Sequence, residues 1–444
     1  MENYWRDFVM GIDEYVPLAD GRQAVAVQFD NAATTPPFRE VLAEINRFAP
    51  WYASVRRGGG YKSDVSTELY ENARLMAADF IGADRRRDAV IFTKNATEGI
   101  NMLAHALAEE AGGSVILTTE MEHFANDLPW REAFSVDYIK ALKTGEIDLD
   151  DYQKKLAYYG GRVRLVAVTG ASNVTGFCPP IHKMAAMAHG YGAEFMADGA
   201  QLIPHKGFSM RPHEDGGHID YVVFSAHKMY APFGCGVLAG KARLFRRTLP
   251  FLKGGGTINL AGRTFIDWES VPHKNEAGTP NLIGALALVK AMEILARVGL
   301  DNVHAAENQL ADYIYDGLKR ESGVFVYGGA RQKNAVSIVS FNIEGMHHRQ
   351  VSRILSAEYG ISVRSGMFCA HPYVTKLLKI SEAELKEMAA RKLKFLPGMV
   401  RVSLGVYNTK SEADKLLAAV NTIVCRKKDY LKEYRLPNGE FLLP

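Results

Sequence analysis

A chain of 444 residues with 47% hydrophobic content can bury a large core in two or three domains, while a formal charge of +3 argues against a nucleic-acid binder with a concentrated basic stripe. The segment 1–7 carries charges where a secretory signal needs an apolar run, and the apolar stretch 282–300 is interrupted by Lys290, Glu293 and Arg297, so a cytoplasmic, membrane-free protein is expected. Four cysteines (Cys178, Cys235, Cys369, Cys425) lack paired spacing, which points to a reducing compartment and gives no metal-ligand pattern.

From about residue 90 to 238, strand and helix patterns alternate regularly, as in an α/β domain with a mostly parallel sheet. The strand Ala89-Val-Ile-Phe-Thr runs into Asn95-Ala-Thr-Glu-Gly, which opens a helix whose first N–H groups, with the Thr97 hydroxyl, form an anion site. A second strand, Ser114-Val-Ile-Leu-Thr-Thr, ends in Glu120-Met-Glu-His123, and a third, Arg164-Leu-Val-Ala-Val-Thr, ends in Gly-Ala-Ser-Asn173. A fourth, Ala193-Glu-Phe-Met-Ala, leads into Asp198-Gly-Ala-Gln201, and a fifth, Tyr221-Val-Val-Phe, into Ser225-Ala-His-Lys228. The glycine triplets 58–60 and 254–256 read as flexible loops.

A helix over 281–297 closes this region. After it come a helix (305–320), a strand (335–342), a helix (348–359) and short strands at 361–364 and 399–404, an order that suits a smaller α+β domain. Arg364 and Arg401 lie in those short strands, which are expected to face the crevice.

Each strand-end residue has an ordinary reading. Asp198 before Gly-Ala-Gln suits a helix N-cap, Asn173 a turn, and His123 or Lys228 a solvated surface. Their agreement outweighs these readings, because ligands of open α/β sheets bind outside the carboxyl ends of the strands. A lysine and a carboxylate at such ends are what pyridoxal 5'-phosphate asks for: an amine for the Schiff base and an anion for the pyridine nitrogen. His123 would stack on the planar ring. Ser225 and His227 would add donors for the phosphate.

These segments, together with Gly254-Gly-Gly-Thr257, Glu276-Ala-Gly-Thr279-Pro and Arg364-Ser-Gly-Met-Phe-Cys369-Ala, resemble the class V aminotransferase family of fold-type I pyridoxal phosphate enzymes, most closely its cysteine desulfurases. The likeness runs from Phe29-Asp-Asn-Ala-Ala-Thr-Thr to Tyr407-Asn-Thr. It implies a seven-stranded, mostly parallel sheet in a large domain (29–297), a small domain (298–444) and an N-terminal arm (1–28) packing with the latter. It further implies Lys228 as the Schiff-base lysine, Asp198 on the ring nitrogen, His123 on the ring face and in proton transfer, and Gln201 on the phenolic oxygen. Asn173 would contact that oxygen or the substrate carboxylate. Thr97, Glu98, Ser225 and His227 belong to the cofactor-binding set, with Thr279 reaching in from a second subunit of a homodimer. Arg401, with Arg364, would bind the carboxylate of an amino-acid substrate.

In desulfurases a loop cysteine takes the sulfur of L-cysteine, leaving alanine and a persulfide that passes to an acceptor protein. Cys369 matches that cysteine, with Gly366 as hinge and Arg364 and His371 nearby. The chain departs from the pattern at Met367-Phe368, Gly170 and Phe124, where the family usually has histidines. Each departure removes a polar group. A class V relative acting on another amino acid, as a β-lyase, transaminase or epimerase, is therefore the alternative, and a non-catalytic scaffold is disfavoured by Lys228, Asp198 and His123 together.

Overall fold

Seven runs rich in Val, Ile, Leu and Ala build the central sheet: β1 (Asp88–Thr93), β2 (Val115–Thr119), β3 (Ser135–Ile139), β4 (Val163–Thr169), β5 (Glu194–Asp198), β6 (Tyr221–Ser225) and β7 (Gly236–Lys241). In this computed structural model, which describes residues 4–110, 113–142, 144–329, 334–393 and 396–435, they are ordered β1-β7-β6-β5-β4-β2-β3. Residues 1–3 of the expected arm and 436–444 of the expected small domain lie outside the described residues. Only β7 runs antiparallel to its neighbours. Burial on both faces accounts for the continuous apolar runs. Val222 and Phe224 of β6 face one core, while Tyr221 and Val223 face the other. Parallel neighbours require crossovers, which the helices Leu128–Ala133 between β2 and β3 and Ile181–His189 between β4 and β5 supply.

Register fixes where the chemistry emerges. Thr169 pairs with Asp198 at the ends of β4 and β5, and Ser225 at the end of β6 pairs with Gly236. A Cβ at Gly236 would sit 2.6 Å from the Asn95 Cα, so glycine is needed there for the β1–helix loop to lie against the strand end.

A second, antiparallel sheet is made by β8 (Val324–Val326), β9 (Ile338–Ile343), β10 (Arg364–Gly366) and β11 (Met399–Ser403), in the order β8-β9-β11-β10. Helices Leu300–Arg320, His348–Tyr359 and Lys410–Cys425 cover it, closing a core that contains Ile314, Leu318, Val351, Ile354, Leu416 and Val420. Each such side chain contributes roughly 1.5–3 kcal/mol of burial. Val27 and Phe29 belong to this core, and Val27–Gln28 pairs in parallel with Ile361–Ser362.

Three boundaries differ from the sequence reading. The strand expected from 335 begins at Ile338, because the Val336 N–H donates to Gly176 O at 2.8 Å and Ala335 bridges Phe177. The strand at 361–364 is two: Ile361–Ser362 pairs with the N-terminal segment and Arg364–Gly366 joins β11. The helix expected from 305 begins at Leu300. No helix among the described residues is long and apolar enough to cross a membrane.

Candidate active site

A cavity of about 260 Å³ opens at the carboxyl ends of the parallel strands. Asn95 reaches it from the turn after β1 and Thr97 from the first turn of the helix Ala96–Ala108, His123 from beyond β2, Asn173 from beyond β4, Asp198 and Gln201 from β5 and its turn, and Ser225, His227 and Lys228 from β6 and the short helix after it. Arg364 and Arg401 enter from the second sheet, where they are register partners, and Cys369 enters from the turn after β10.

At one end, Ser225 Oγ accepts from the Ala96 N–H at 2.9 Å, tying the strand end to the start of the helix Ala96–Ala108. Asn95 caps that helix by accepting the Glu98 N–H at 3.0 Å. His227 carries its backbone carbonyl to the Thr35 N–H at 2.9 Å. Burial and the neighbouring Lys228 push the His227 imidazole down to about 4, so it stays neutral at neutral pH.

The centre is a set of poorly solvated charges. Burial lowers the Lys228 ammonium to about 8, outweighing the attraction of Asp198, and the amine has no hydrogen-bond partner among the described residues. Burial raises the Asp198 carboxyl, against the pull of the Ala200 N–H at 3.0 Å and of Lys228. A cation placed against Asp198 would restore its charge. Burial, then Lys228 and Arg401, push His123 down to about 4. Its Nδ1 accepts from the Ala125 N–H at 3.0 Å, so the ring proton of the neutral imidazole sits on Nε2. Gln201 donates to Ala32 O at 2.7 Å while its buried Oε1 lacks a partner.

The far side is held by Arg401. Its guanidinium donates to Asn173 O at 2.9 Å and to Asp30 Oδ1 at 3.2 Å, lies 4.9 Å over the Phe368 ring, and leaves Nε buried without a partner. Burial brings it down to about 10 in spite of Asp30. Beside it, Phe368 and Cys369 both adopt φ of 53°, a left-handed conformation that costs roughly 1–2 kcal/mol per non-glycine residue. The Ala370 N–H closes this turn on Met367 O at 2.9 Å, and two bonds tie it to the rest of the fold: Asn173 Nδ2 donates to Phe368 O and the Phe124 N–H to Cys369 O, each at 2.7 Å. The Cys369 side of the turn is exposed.

The family model for class V aminotransferases matches residues 27–416. The chain belongs to this family. A cysteine desulfurase from Haloferax volcanii is 32% identical over 403 residues, spanning 89% of this chain and 88% of that protein. A probable cysteine desulfurase from Vibrio cholerae is 34% identical over 406 residues, spanning 90% and 93%. The apo structure of the cysteine desulfurase from Thermococcus onnurineus superposes with a TM-score of 0.80 at 32% identity, covering 90% of this chain and 95% of that one. This class V aminotransferase is thus an α/β, fold-type I enzyme.

Pyridoxal 5'-phosphate is the family's cofactor, and the residues present fit it. An unpartnered amine, a carboxyl in want of a cation and the orphaned Gln201 Oε1 converge on one cavity whose far end is a helix N-terminus. Two residues of the family pattern do not line that cavity. Glu98 turns its carboxylate back onto the Lys94 N–H, and both Glu98 and Thr279 line a separate cleft with Tyr70 and Asn275. His371, expected near the thiol, packs its ring 4.7 Å from Phe124.

Two residues of this class V aminotransferase site, Asp30 and Glu122, escaped the sequence reading. Asp30 partners Arg401, and its only signal was its place in Phe29-Asp-Asn-Ala-Ala. Phe368, noted in the sequence as a departure, lies under the Arg401 guanidinium. Glu122 accepts from Thr119 Oγ at 2.5 Å, the Thr169 N–H at 3.1 Å and Asn126 at 2.6 Å, joining the ends of β2 and β4 and so setting His123. Burial pushes it up to about 8.

Proposed function

We propose that this class V aminotransferase is a cysteine desulfurase that converts L-cysteine to alanine and leaves a persulfide on Cys369. The observation that carries the reading is an exposed thiol lining the same cavity as an unpartnered lysine and a buried arginine.

Lys228 would hold the cofactor's aldehyde carbon, Asp198 its ring nitrogen, His123 its ring face and Gln201 its phenolic oxygen. Thr97, Ser225 and His227 would hold its phosphate. When bound, the cofactor supplies a sink for negative charge at the substrate α-carbon. Arg401 pairs with the substrate carboxylate through its remaining N–H donors, with Arg364 adding charge at the mouth. Lys228, titrating near 8, takes the α-proton as a neutral amine. His123, neutral with its proton on Nε2, donates toward the cavity. The Cys369 thiolate attacks the substrate sulfur. The carbon–sulfur bond breaks as the sulfur–sulfur bond forms, the substrate β-carbon gains a proton and the electron pair, and alanine leaves while both sulfurs are oxidised to the persulfide level.

The same reading makes the enzyme a cytoplasmic homodimer in which Thr279 serves the partner's phosphate site, and it assigns the persulfide to a separate acceptor protein. The division into an arm (1–28), a large domain (29–297) and a small domain (298–444) is part of it. Support comes from the position of Thr279 outside its own cavity and from the exposure of Cys369.

Paired release of alanine and sulfide from L-cysteine, with reductant, tests the proposal in the native chain and in Cys369→Ala. Equal amounts from the native chain and neither from the variant are expected. Pyruvate with sulfide, unaffected by the substitution, would make the enzyme a β-lyase and Cys369 structural.

A further inference from the structure

At the end of the central sheet remote from the cavity, β1 begins at Asp88, paired across to Lys241. Two histidines from the segment between β5 and β6 meet it there. His213 Nε2 lies 3.1 Å from Asp88 Oδ1, with the Asp88 side chain 1% and the His213 side chain 13% exposed. The His218 ring sits 4.0 Å from the His213 ring. One ligand atom from each of the three residues lies within 4.8 Å of the other two.

His218 sets this cluster apart from an ordinary hydrogen-bonded pair. It is 3% exposed, and its Nδ1 lies 2.7 Å from Arg211 O. A carbonyl only accepts, so Nδ1 carries the proton and Nε2 keeps a lone pair. That Nε2 is buried without a hydrogen-bond partner. A neutral imidazole held through one nitrogen by a backbone carbonyl, with the other left open, is the arrangement in which metal-ligating histidines are oriented. Asp88 is braced similarly, its Oδ2 accepting the Asp84 N–H at 2.9 Å.

Neighbouring charge also favours a cation. Arg87 is paired with Glu214 at 2.6 Å and Asp84 at 3.6 Å, and Arg211 with Asp215 at 3.4 Å. The basic groups around the cluster are thus each matched by a carboxylate, while Asp88 faces imidazoles.

We propose that Asp88, His213 and His218 bind a divalent transition-metal ion, Zn²⁺ foremost. Two imidazoles and one carboxylate suit a borderline ion better than Ca²⁺ or Mg²⁺, which take oxygen ligands. Bonds of roughly 2.0–2.1 Å place the ligands of a tetrahedral ion roughly 3.3–3.4 Å apart, so the cluster closes by a small rotation of the more accessible His213, with water as fourth ligand. The ion is structural. It clips the first residue of β1 to the segment that enters β6, the strand ending at Ser225 before Lys228.

The cofactor-loaded enzyme, stripped with chelator, re-equilibrated with Zn²⁺ and desalted, tests this by elemental analysis beside His213→Gln and Asp88→Asn. One more Zn²⁺ per chain in the native protein than in either variant is expected, together with a rise in unfolding temperature on adding Zn²⁺ that the variants lack. Comparison with the variants removes the contribution of Cys369 and the other histidines. Co²⁺ substitution gives a second readout: visible ligand-field bands in the native chain, lost in His213→Gln. Equal Zn²⁺ in native and variant chains, or none retained by the native chain, overturns the proposal.

Discussion

The two ends of the active-site cavity are built on different plans. The cradle proposed for the cofactor consists of residues at or just beyond the ends of buried parallel strands, so Asp198, Ser225 and Lys228 take their positions from sheet register. The opposite rim is assembled from the antiparallel sheet, which brings Arg364 and Arg401, and from the turn at Phe368 and Cys369, whose left-handed backbone is held by bonds from Asn173 and Phe124. A cofactor that stays bound gains from fixed donors. On the proposed reading, a thiol that meets a substrate sulfur and then presents a persulfide gains from a strained turn that can open.

The largest effect separates the two ends. Lys228→Ala removes the amine from the cradle, so alanine release from L-cysteine should fall by roughly 10²–10⁴, while exposed Cys369, losing one neighbouring charge, should keep most of its alkylation rate. A comparable loss of thiol reactivity would show that the two ends are one unit. At the rim, Arg401→Lys keeps a positive charge near Asp30 but gives up the planar fork. The loss of charged hydrogen bonds, ~1.5–3 kcal/mol, should lower kcat/KM by roughly 10–100-fold, chiefly through KM. A change in kcat alone would remove Arg401 from carboxylate binding.

This division also explains what the sequence disclosed. Lys228, Asp198 and His123 stood out because an apolar strand, whose packing needs are plain, runs directly into residues of no use to a core. The alternating strands and helices announced the parallel sheet for the same local reason. Asp30 gave no such signal, since its contact with Arg401 joins residues 371 positions apart. Nothing in Met-Phe-Cys forecasts two successive positive φ angles, because those depend on Asn173 and Phe124 brought in by the tertiary fold. Likewise the strand near 335 was misplaced where the loop after β4 competes for its backbone. Local chemistry is legible; chemistry assembled from distant segments is not.

The protonation of Lys228 sharpens the comparison from the cradle side. Burial lowers the amine from 10.5 to about 8 in the folded chain. The neutral amine captures an aldehyde, so cofactor uptake by the apo chain should rise about five-fold from pH 7 to pH 8 and flatten above it. Between about 8 and 10.5 the folded chain binds fewer protons at this site than the unfolded one, so the stability of the apo chain should rise with pH there, and Lys228→Met should remove that increment. Uptake that continues to climb tenfold per unit beyond pH 9 would place the amine near its ordinary value.

The smallest effect belongs to the rim. Asn173→Ala deletes the 2.7 Å bond to Phe368 O and leaves the left-handed turn with its own Ala370 N–H to Met367 O bond and the Phe124 N–H as its tie to the large sheet. One buried neutral hydrogen bond of this kind is worth ~0.5–1.5 kcal/mol, so amide exchange across residues 367–370 should quicken roughly two- to ten-fold. The effect should stay local, because Asn173 bonds the turn through its side chain and Arg401 through its backbone carbonyl, which alanine retains. Exchange that quickens equally at Asp198 and Lys228 would mean that Asn173 supports the cradle too, and that the rim does not move on its own.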